Sequence, residues 1–211
     1  MLPGMPGAET RFTIVVLAGG SATRLPGKLA LPIDGEPMLA RVLRALSFTG
    51  APCVVAASGT LAEELIARIG VPIVFDEHPG EGPLAALVSA AATVRTPYMF
   101  AAAGDMPGID APFVARVVAS AKAADWPDAV VPMRADGTIE PLAALYKVEP
   151  WLTTAREQLA QGRRNVTSAL EGLRVAHYAV VPEDEAALAN INTPSDYEHV
   201  RGAPPVHDRR T

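Results

Sequence analysis

Short apolar runs alternate with longer stretches rich in Ala and Leu along most of the chain, and this alternation constrains the fold more than any other feature. Each run is nearly continuous in apolar residues, as a strand covered on both faces should be. We predict strands at 13–18, 53–57, 71–75, 98–103 and 129–132. The pattern is typical of βαβ units. We therefore expect an α/β fold, a Rossmann-like three-layer α/β/α sandwich with a mostly parallel central sheet.

Glycine, proline and aspartate mark the ends of the intervening helices. Helices are predicted at 36–47, at 60–69 with Gly70 as its stop, after Gly82-Pro83, after Asp110, and at 151–161. Two later strands, at 139–147 and 174–180, are expected to extend the edge of the sheet and complete a pocket. One domain at 12–201 is expected, with mobile Pro- and Gly-rich ends at 1–11 and 202–211.

Composition excludes several classes of protein. No apolar run reaches the roughly 20 residues that span a bilayer, and the first ten residues do not resemble a secretory signal, so we expect a cytoplasmic protein without a membrane partner. Cys53 is the only cysteine, which excludes an intramolecular disulfide and a thiolate zinc cluster and predicts a buried thiol. The net charge of −5 argues against broad nucleic-acid binding, although a local basic pocket can still hold a phosphate.

The chemistry is expected in the segment TIVVLAGGSATRLPGK, a buried strand followed by a glycine-rich loop. Gly19 and Gly20 permit close backbone approach, so loop amides can point at phosphate oxygens at the carboxyl end of the strand. Arg24 can bind two phosphate oxygens and Lys28 can supply a point charge. The segment matches neither a Walker loop nor a dinucleotide fingerprint. A plain turn beside solvated basic residues is the alternative interpretation.

Further strings occur in a fixed order and make the chain resemble the molybdenum cofactor guanylyltransferases, a family of nucleotidyltransferases. The resemblance covers roughly residues 13 to 200. The matching strings are LAGG with Arg24 and Lys28, DGEPML, Phe75-Asp76-Glu77, Gly82-Pro83-Leu84-Ala85, Gly104-Asp105-Met106-Pro107, Glu140-Pro141-Leu142 before Ala144-Leu145-Tyr146, and Asn190-Ile191-Asn192-Thr193-Pro194. The resemblance implies a nucleotidyltransferase fold.

The resemblance also implies roles for particular residues. Arg24, Lys28 and Asp105 would be catalytic, with Asp105 holding Mg²⁺; a turn-capping role for Asp105 is the alternative. Asp76 would accept hydrogen bonds from guanine, and a strand-end turn explains it equally well. The nucleotide would bind at Leu17, Ala18, Gly19, Gly20, Lys28, Asp76 and Asp105. The second substrate would bind at Arg163, Arg164, Asn190 and Asn192, although the two asparagines also suit a turn that enters a helix. The four histidines are expected to be surface or structural residues.

The implied reaction transfers GMP from GTP to the terminal phosphate of molybdopterin and releases pyrophosphate. GTP and molybdopterin are thus the expected partners, with transient contact to other molybdenum cofactor proteins. The sequence does not define the oligomeric state. The link Leu25-Pro26-Gly27 is shorter than is usual in the family, and Ser58 stands near a position where many relatives have Asn. Three alternatives stay open: a cytidylyltransferase for the same pterin, a guanylyltransferase for another phosphorylated acceptor, and a non-catalytic nucleotide-binding or adaptor protein.

Overall fold

A computed structural model describes residues 11–19, 24–58, 61–77 and 80–202 of the chain. The ends predicted to be mobile lie outside the described residues, apart from Arg11 and Gly202. Gly20 of the predicted phosphate loop, the predicted helix start at Thr60, and His78 also lie outside them.

The described residues form nine strands and six α-helices. The strands are β1 (Phe12–Gly19), β2 (Pro32–Ile33), β3 (Glu36–Pro37), β4 (Cys53–Ser58), β5 (Ile73–Phe75), β6 (Tyr98–Ala103), β7 (Ala129–Met133), β8 (Ala143–Lys147) and β9 (Val175–Ala179). The helices are α1 (Met38–Ser47), α2 (Glu63–Ile69), α3 (Pro83–Ala91), α4 (Ala111–Ala123), α5 (Val148–Ala160) and α6 (Pro194–Gly202). Short 3-10 turns lie at Lys28–Ala30, Val166–Leu170 and Pro182–Asp184.

Seven of these strands form one sheet in the order β5-β4-β1-β6-β8-β7-β9. β1 pairs in parallel with β4 on one side and β6 on the other, and the pairs β4–β5 and β7–β9 are also parallel. β8 is antiparallel to both of its neighbours, β6 and β7. The prediction of a mostly parallel central sheet is confirmed.

The strand predicted at 139–147 is wrong in two respects. Only Ala143–Lys147 is a strand, because Pro141 has no amide hydrogen to donate to a ladder, and Ile139 forms just an isolated bridge with Met133. The strand also lies inside the sheet, between β6 and β7, instead of at its edge. The other late strand, β9, does lie at the edge, as expected.

Two helical layers cover the sheet, one on each face. Alternate residues of β1 point to opposite faces. Ile14, Val16 and Ala18 belong to a core cluster with side chains of α1, α2 and α4. Val15 and Leu17 belong to a second cluster with side chains of α3 and α5, in which Trp151 is fully buried. This is the predicted α/β/α sandwich.

A small hairpin precedes α1 and corrects its predicted start. Glu36 and Pro37 pair with Pro32 and Ile33 instead of beginning the helix, which starts at Met38. Asp34 and Gly35 join the two short strands with φ values of 52° and 81°, the left-handed conformations that a tight Asp-Gly hairpin turn requires. The hairpin packs through Ile33 and Met38 against residues of the C-terminal helix α6.

No helix in the described part of the chain is both long enough and apolar enough to cross a membrane.

Candidate active site

A cleft opens at the carboxyl ends of β1, β4 and β6. Because β1 is parallel to both neighbours, these three ends lie at the same edge of the sheet, where open α/β sheets bind ligands. The cavity has a volume of about 400 Å³. Its described lining residues are Leu17, Gly19, Arg24, Gly27, Lys28, Leu29, Ala30, Ser58, Leu61, Ala62, Leu65, Pro83, Ala103, Asp105, Leu142 and Asn192.

Two glycines let the strand ends approach one another. A Cβ atom at Gly19 would lie 2.5 Å from the carbonyl oxygen of Ser58 and 2.7 Å from its Cβ, so only glycine fits between β1 and β4. The amide of Gly104 donates to the carbonyl oxygen of Leu17 at 2.9 Å, and a Cβ atom there would lie 3.0 Å from that oxygen. Asp105, the next residue, therefore emerges directly beside the end of β1.

Lys28 is the electrostatic centre of the cleft. Its ammonium forms an ion pair with the carboxylate of Asp105 and donates to Ile191 O at 3.0 Å and to Asn192 Oδ1 at 2.9 Å. The side chains of Lys28 and Asp105 are only 13% and 18% exposed. Each of the three ammonium protons thus has an oxygen acceptor. The 3-10 turn that carries Lys28 begins after Gly27, whose φ of 66° is left-handed.

The other basic residue of the loop, Arg24, is exposed and lines the same cleft. It lies within electrostatic range of Asp196 in the first turn of α6. The amides of Asn192 and Thr193 donate to the Asp196 carboxylate at 2.9 and 2.8 Å and lower its pKa, and the charge of Arg24 lowers this pKa further. The same hydrogen bonds cap α6 and fix the backbone at Asn192.

Several residues predicted for the site lie outside the cleft lining among the described residues. Asp76 is buried, and its carboxylate accepts a hydrogen bond from Ser89 of α3 at 3.5 Å. Ala18 is buried within the core on the α1 face. Asn190 is half-buried, two residues before the asparagine that does reach the cleft.

The two predicted basic residues for the second substrate bind different carboxylates. Arg163 forms an ion pair with Glu171 beside a shallow surface depression. Arg164 lies 3.5 Å from the carboxylate of Glu81, next to Gly82 at the start of α3, close to the cleft wall formed by Pro83.

Other residues of the cleft were not predicted. The carbonyl oxygen of Ile191 binds Lys28, and the amide of Ile191 donates to Asp105 O at 2.9 Å. Leu61, Ala62 and Leu65 form an apolar wall before and within α2. The periodicity of these apolar residues indicated a helix, but it carries no signal that distinguishes a cleft wall from the core.

Metal binding and nucleophilic catalysis are both constrained by the side chains present. Within the described residues, no group of three or more His, Cys, Asp or Glu side chains could hold a metal ion. Among the described residues that line the cleft, Asp105 is the only carboxylate. Burial raises the pKa of the Cys53 thiol to about 12, which keeps it protonated near neutral pH. His177 and His199 are exposed, as expected for surface residues.

The chain is similar to proteins of one family over nearly its whole length. Residues 14–181 match the model of the MobA-like NTP transferase domain. A probable molybdenum cofactor guanylyltransferase from Natronomonas pharaonis is 32% identical over 90% of this chain and 96% of its own. One from Mycobacterium ulcerans is 33% identical over 86% of this chain and 89% of its own.

A solved structure supports the same relationship. The crystal structure of molybdopterin-guanine dinucleotide biosynthesis protein A from Archaeoglobus fulgidus superposes with a TM-score of 0.76 at 26% identity, covering 90% of this chain and 96% of that one. Because the family model and these relatives match most of the chain, the chain belongs to the family of MobA-like NTP transferases and is a nucleotidyltransferase.

Proposed function

We propose that the chain transfers GMP from GTP to the terminal phosphate of molybdopterin, with Mg²⁺ as cofactor. The observation that carries this proposal is the meeting of Lys28 and Asp105 in a cleft at the carboxyl ends of β1 and β6. A cation from the glycine-rich loop and a carboxylate from the neighbouring strand end suit a metal-bound triphosphate. The names of the relatives support guanine and molybdopterin as the substrates.

In the proposed reaction, an oxygen of the terminal phosphate of molybdopterin attacks the α-phosphorus of GTP. A bond forms between these two atoms, the bond from the α-phosphorus to the bridging oxygen breaks, and pyrophosphate leaves. A phosphate monoester has a second pKa near 6, so the attacking phosphate is already mostly dianionic at neutral pH. A general base is therefore not required. This agrees with the described cleft lining, which contains neither His nor Cys.

The protein's contribution is alignment and charge neutralisation. Lys28 and Arg24 both line the cleft and would offset the negative charge of the triphosphate and of the departing pyrophosphate. Gly19 lines the cleft with its backbone, because it has no side chain. A side chain there would collide with Ser58. The apolar wall before and within α2 would exclude water from one side of the bound nucleotide.

Asp105 fits the role of a Mg²⁺ ligand that acts together with oxygens of the nucleotide. Mg²⁺ is commonly held by one or two carboxylates together with substrate phosphates and water, so a single Asp is sufficient when the nucleotide supplies the other oxygens. When bound, the ion would neutralise charge that develops on the phosphate oxygens. Lys28 binds Oδ2 of this carboxylate, so a metal ion would either share the carboxylate with the ammonium or displace it.

The finer residue assignments belong to the same proposal. We assign Asn192 to the acceptor, and this assignment is supported by its position in the cleft lining beside Lys28. Roles for Asp76 at the guanine and for Arg163, Arg164 and Asn190 at the acceptor stay predictions, because these side chains do not line the described cleft.

Pyrophosphate release with GTP, molybdopterin and Mg²⁺ tests the proposal directly. We expect release by the unaltered chain, and loss of release in Asp105→Ala but not in Glu157→Ala, which removes an exposed carboxylate of α5. Absence of release from the unaltered chain would favour a non-catalytic binding protein.

Thermal stabilisation by each of the four nucleoside triphosphates, with and without Mg²⁺, tests the choice of nucleotide, because specific binding raises the melting temperature by mass action. We expect the largest rise with GTP and Mg²⁺. A rise with CTP equal to or larger than that with GTP would favour the cytidylyltransferase alternative. Transfer of GMP to another phosphorylated acceptor, but not to molybdopterin, would favour the alternative of a guanylyltransferase for that acceptor.

A further inference from the structure

We propose that Arg134 is a positioning residue for the acceptor side of the cleft. The segment concerned is residues 182–193, which connects β9 to α6 and which we call the strap. Arg134 holds the strap so that Ile191 and Asn192 reach Lys28. The identity of the acceptor rests on the proposed function, whereas the mechanical role of Arg134 does not.

Arg134 follows β7 directly and binds two separate parts of the chain. Its guanidinium forms an ion pair with Glu140, and its Nε lies 3.2 Å from Oε2 of Glu185 in the strap. A further nitrogen donates to the carbonyl oxygen of Leu188, also in the strap, at 3.5 Å. The side chain is 22% exposed. The planar fork of an arginine can make these contacts at once, which the single ammonium of a lysine cannot.

The contact with Glu140 connects Arg134 to one wall of the cleft. The turn from Arg134 to Glu140 is closed by a hydrogen bond from the amide of Arg134 to Thr138 O at 2.8 Å. Two residues after Glu140, Leu142 lines the cleft, and its carbonyl oxygen accepts from the amide of Ala103 at 2.9 Å. Ala103, the donor of this hydrogen bond, lies two residues before Asp105.

The contacts with the strap connect Arg134 to the opposite wall. Leu188 is 1% exposed, so the strap is anchored at this point by a buried side chain as well as by its carbonyl oxygen. Three residues later, the amide of Ile191 donates to Asp105 O, and Ile191 O and Asn192 Oδ1 accept from Lys28. One guanidinium therefore joins the strap, which binds Lys28 and Asp105, to the segment of Leu142, which lines the same cleft and binds Ala103.

Other contacts support the strap at its beginning, in its middle and at its end. At its beginning, the fully buried carboxylate of Asp184 accepts from Arg116, from Tyr178 Oη at 2.7 Å and from the amide of Val181. In the middle, the strap passes so close to Gly108 that a Cβ atom there would lie 2.0 Å from Ala186 O. At its end, the amide of Ile191 donates to Asp105 O, and the Asp196 carboxylate accepts from the amides of Asn192 and Thr193. Between Ala186 and Ile191, the charged side chain that binds the strap among the contacts described is Arg134, through Leu188 O.

The nucleotide side of the cleft should be less sensitive to Arg134. Gly19, Ser58 and Leu61 line the cleft from β1, β4 and the segment before α2, and the strap contributes Asn192 to the described lining. A shift of the strap would displace Asn192 from the acceptor, while Gly19 and Ser58, which are paired between β1 and β4, keep their place. Arg134 therefore acts through the strap and not by touching substrate.

Steady-state kinetics of Arg134→Met, with GTP and molybdopterin varied separately, test the proposal. We expect the KM for molybdopterin to rise about tenfold or more, since the loss of one hydrogen bond to a charged group weakens binding by about this factor, while the KM for GTP changes by less than about twofold. Arg134→Lys should recover part of the effect, because it keeps the charge but not the fork. The matched control is Arg44→Met, which breaks an exposed Arg–Glu pair on α1 and should leave both KM values unchanged.

Amide hydrogen exchange of residues 185–192 provides a readout that does not depend on activity. Exchange should be faster in Arg134→Met than in the unaltered chain and unchanged in Arg44→Met. If the chain transfers no GMP to molybdopterin, the proposed function fails, while faster exchange still supports the positioning role. If Arg134→Met does not fold because Glu140 loses its partner, the double variant with Glu140→Gln removes that unpaired charge.

Three results would overturn the inference. One is unchanged exchange in residues 185–192 of the folded Arg134 variants. The second is an unchanged KM for molybdopterin in an active Arg134→Met enzyme. The third is an equal rise of both KM values, which indicates a general loss of structure instead of a displaced strap.

Discussion

Replacing Lys28 by Met removes the charge at the centre of the cleft while keeping an unbranched apolar stem. In the unliganded protein, the substitution leaves Asp105 without its ion pair, and Ile191 O and Asn192 Oδ1 without the ammonium that binds them. The two paired side chains are 13% and 18% exposed, so water can only partly replace the lost contacts. We expect two separable effects, one on stability and one on turnover.

The magnitudes follow from the contacts. Hydrogen bonds to charged groups contribute about 1.5–3 kcal/mol in mutational series, so the free energy of unfolding should fall by about 1–3 kcal/mol. Loss of a group that stabilises charge in the transition state typically costs about 100- to 1000-fold in turnover, or about 3–4 kcal/mol. The effect on turnover should therefore exceed the effect on stability.

Urea unfolding and pyrophosphate release measure the two effects on the same preparations. Lys122→Met is the matched control, because Lys122 is an exposed lysine in the last turn of α4. In an Asp105→Asn background, Lys28→Met should cost much less stability, because the ion pair is already absent. The reasoning is refuted if Lys28→Met lowers turnover no more than Lys122→Met does.

Three further predictions concern other parts of the molecule. Gly19→Ala should lower the free energy of unfolding in urea by about 1–3 kcal/mol, because its Cβ would collide with Ser58 O, whereas Gly137→Ala should show only the cost of its left-handed φ, since open space surrounds it. Burial raises the pKa of Cys53 to about 12, so its thiol should react with thiol reagents at pH 8.5 far more slowly in the folded than in the urea-unfolded chain. The stability that comes from keeping this thiol protonated is complete below about pH 9 and is lost as the pH rises towards 12. Amide hydrogen bonds lower the pKa of Asp196, so its carboxylate should stabilise α6 above the usual pKa of an Asp and lose this effect in stronger acid. The prediction is contradicted if amide exchange in α6 is as sensitive to acid in Asp196→Asn as in the unaltered chain.

The central strands could be predicted from the sequence because burial on both faces leaves a local signature. The runs predicted at 13–18, 53–57 and 98–103 agree with β1, β4 and β6 to within one residue at each end. The glycine loop and Asp105 could be placed at one sheet edge for the same reason, since parallel strands end together. The Asp34-Gly35 turn also had a local signal for a hairpin, and the helix prediction for 36–47 overrode it.

The rest of the site depends on contacts between residues far apart in the chain. The hydrogen bond from Lys28 to Ile191 O joins residues 163 positions apart, and it uses a backbone oxygen that any residue could supply. The hydrogen bond from Ser89 to the buried carboxylate of Asp76 depends on how α3 packs against β5. Neither contact changes the periodicity of the sequence, so strand and helix patterns could not reveal them.

The position of β8 between β6 and β7 has a consequence for the order of assembly during synthesis. β7 leaves the ribosome before β8, yet it cannot join the growing sheet until residues 143–147 are made, because the edge of β6 is reserved for β8. Until then, the unpaired backbone of a fully apolar strand is available to other nascent chains. A translational pause after β7 has left the ribosome but before β8 has left it should therefore favour aggregation more than a pause after both strands have emerged.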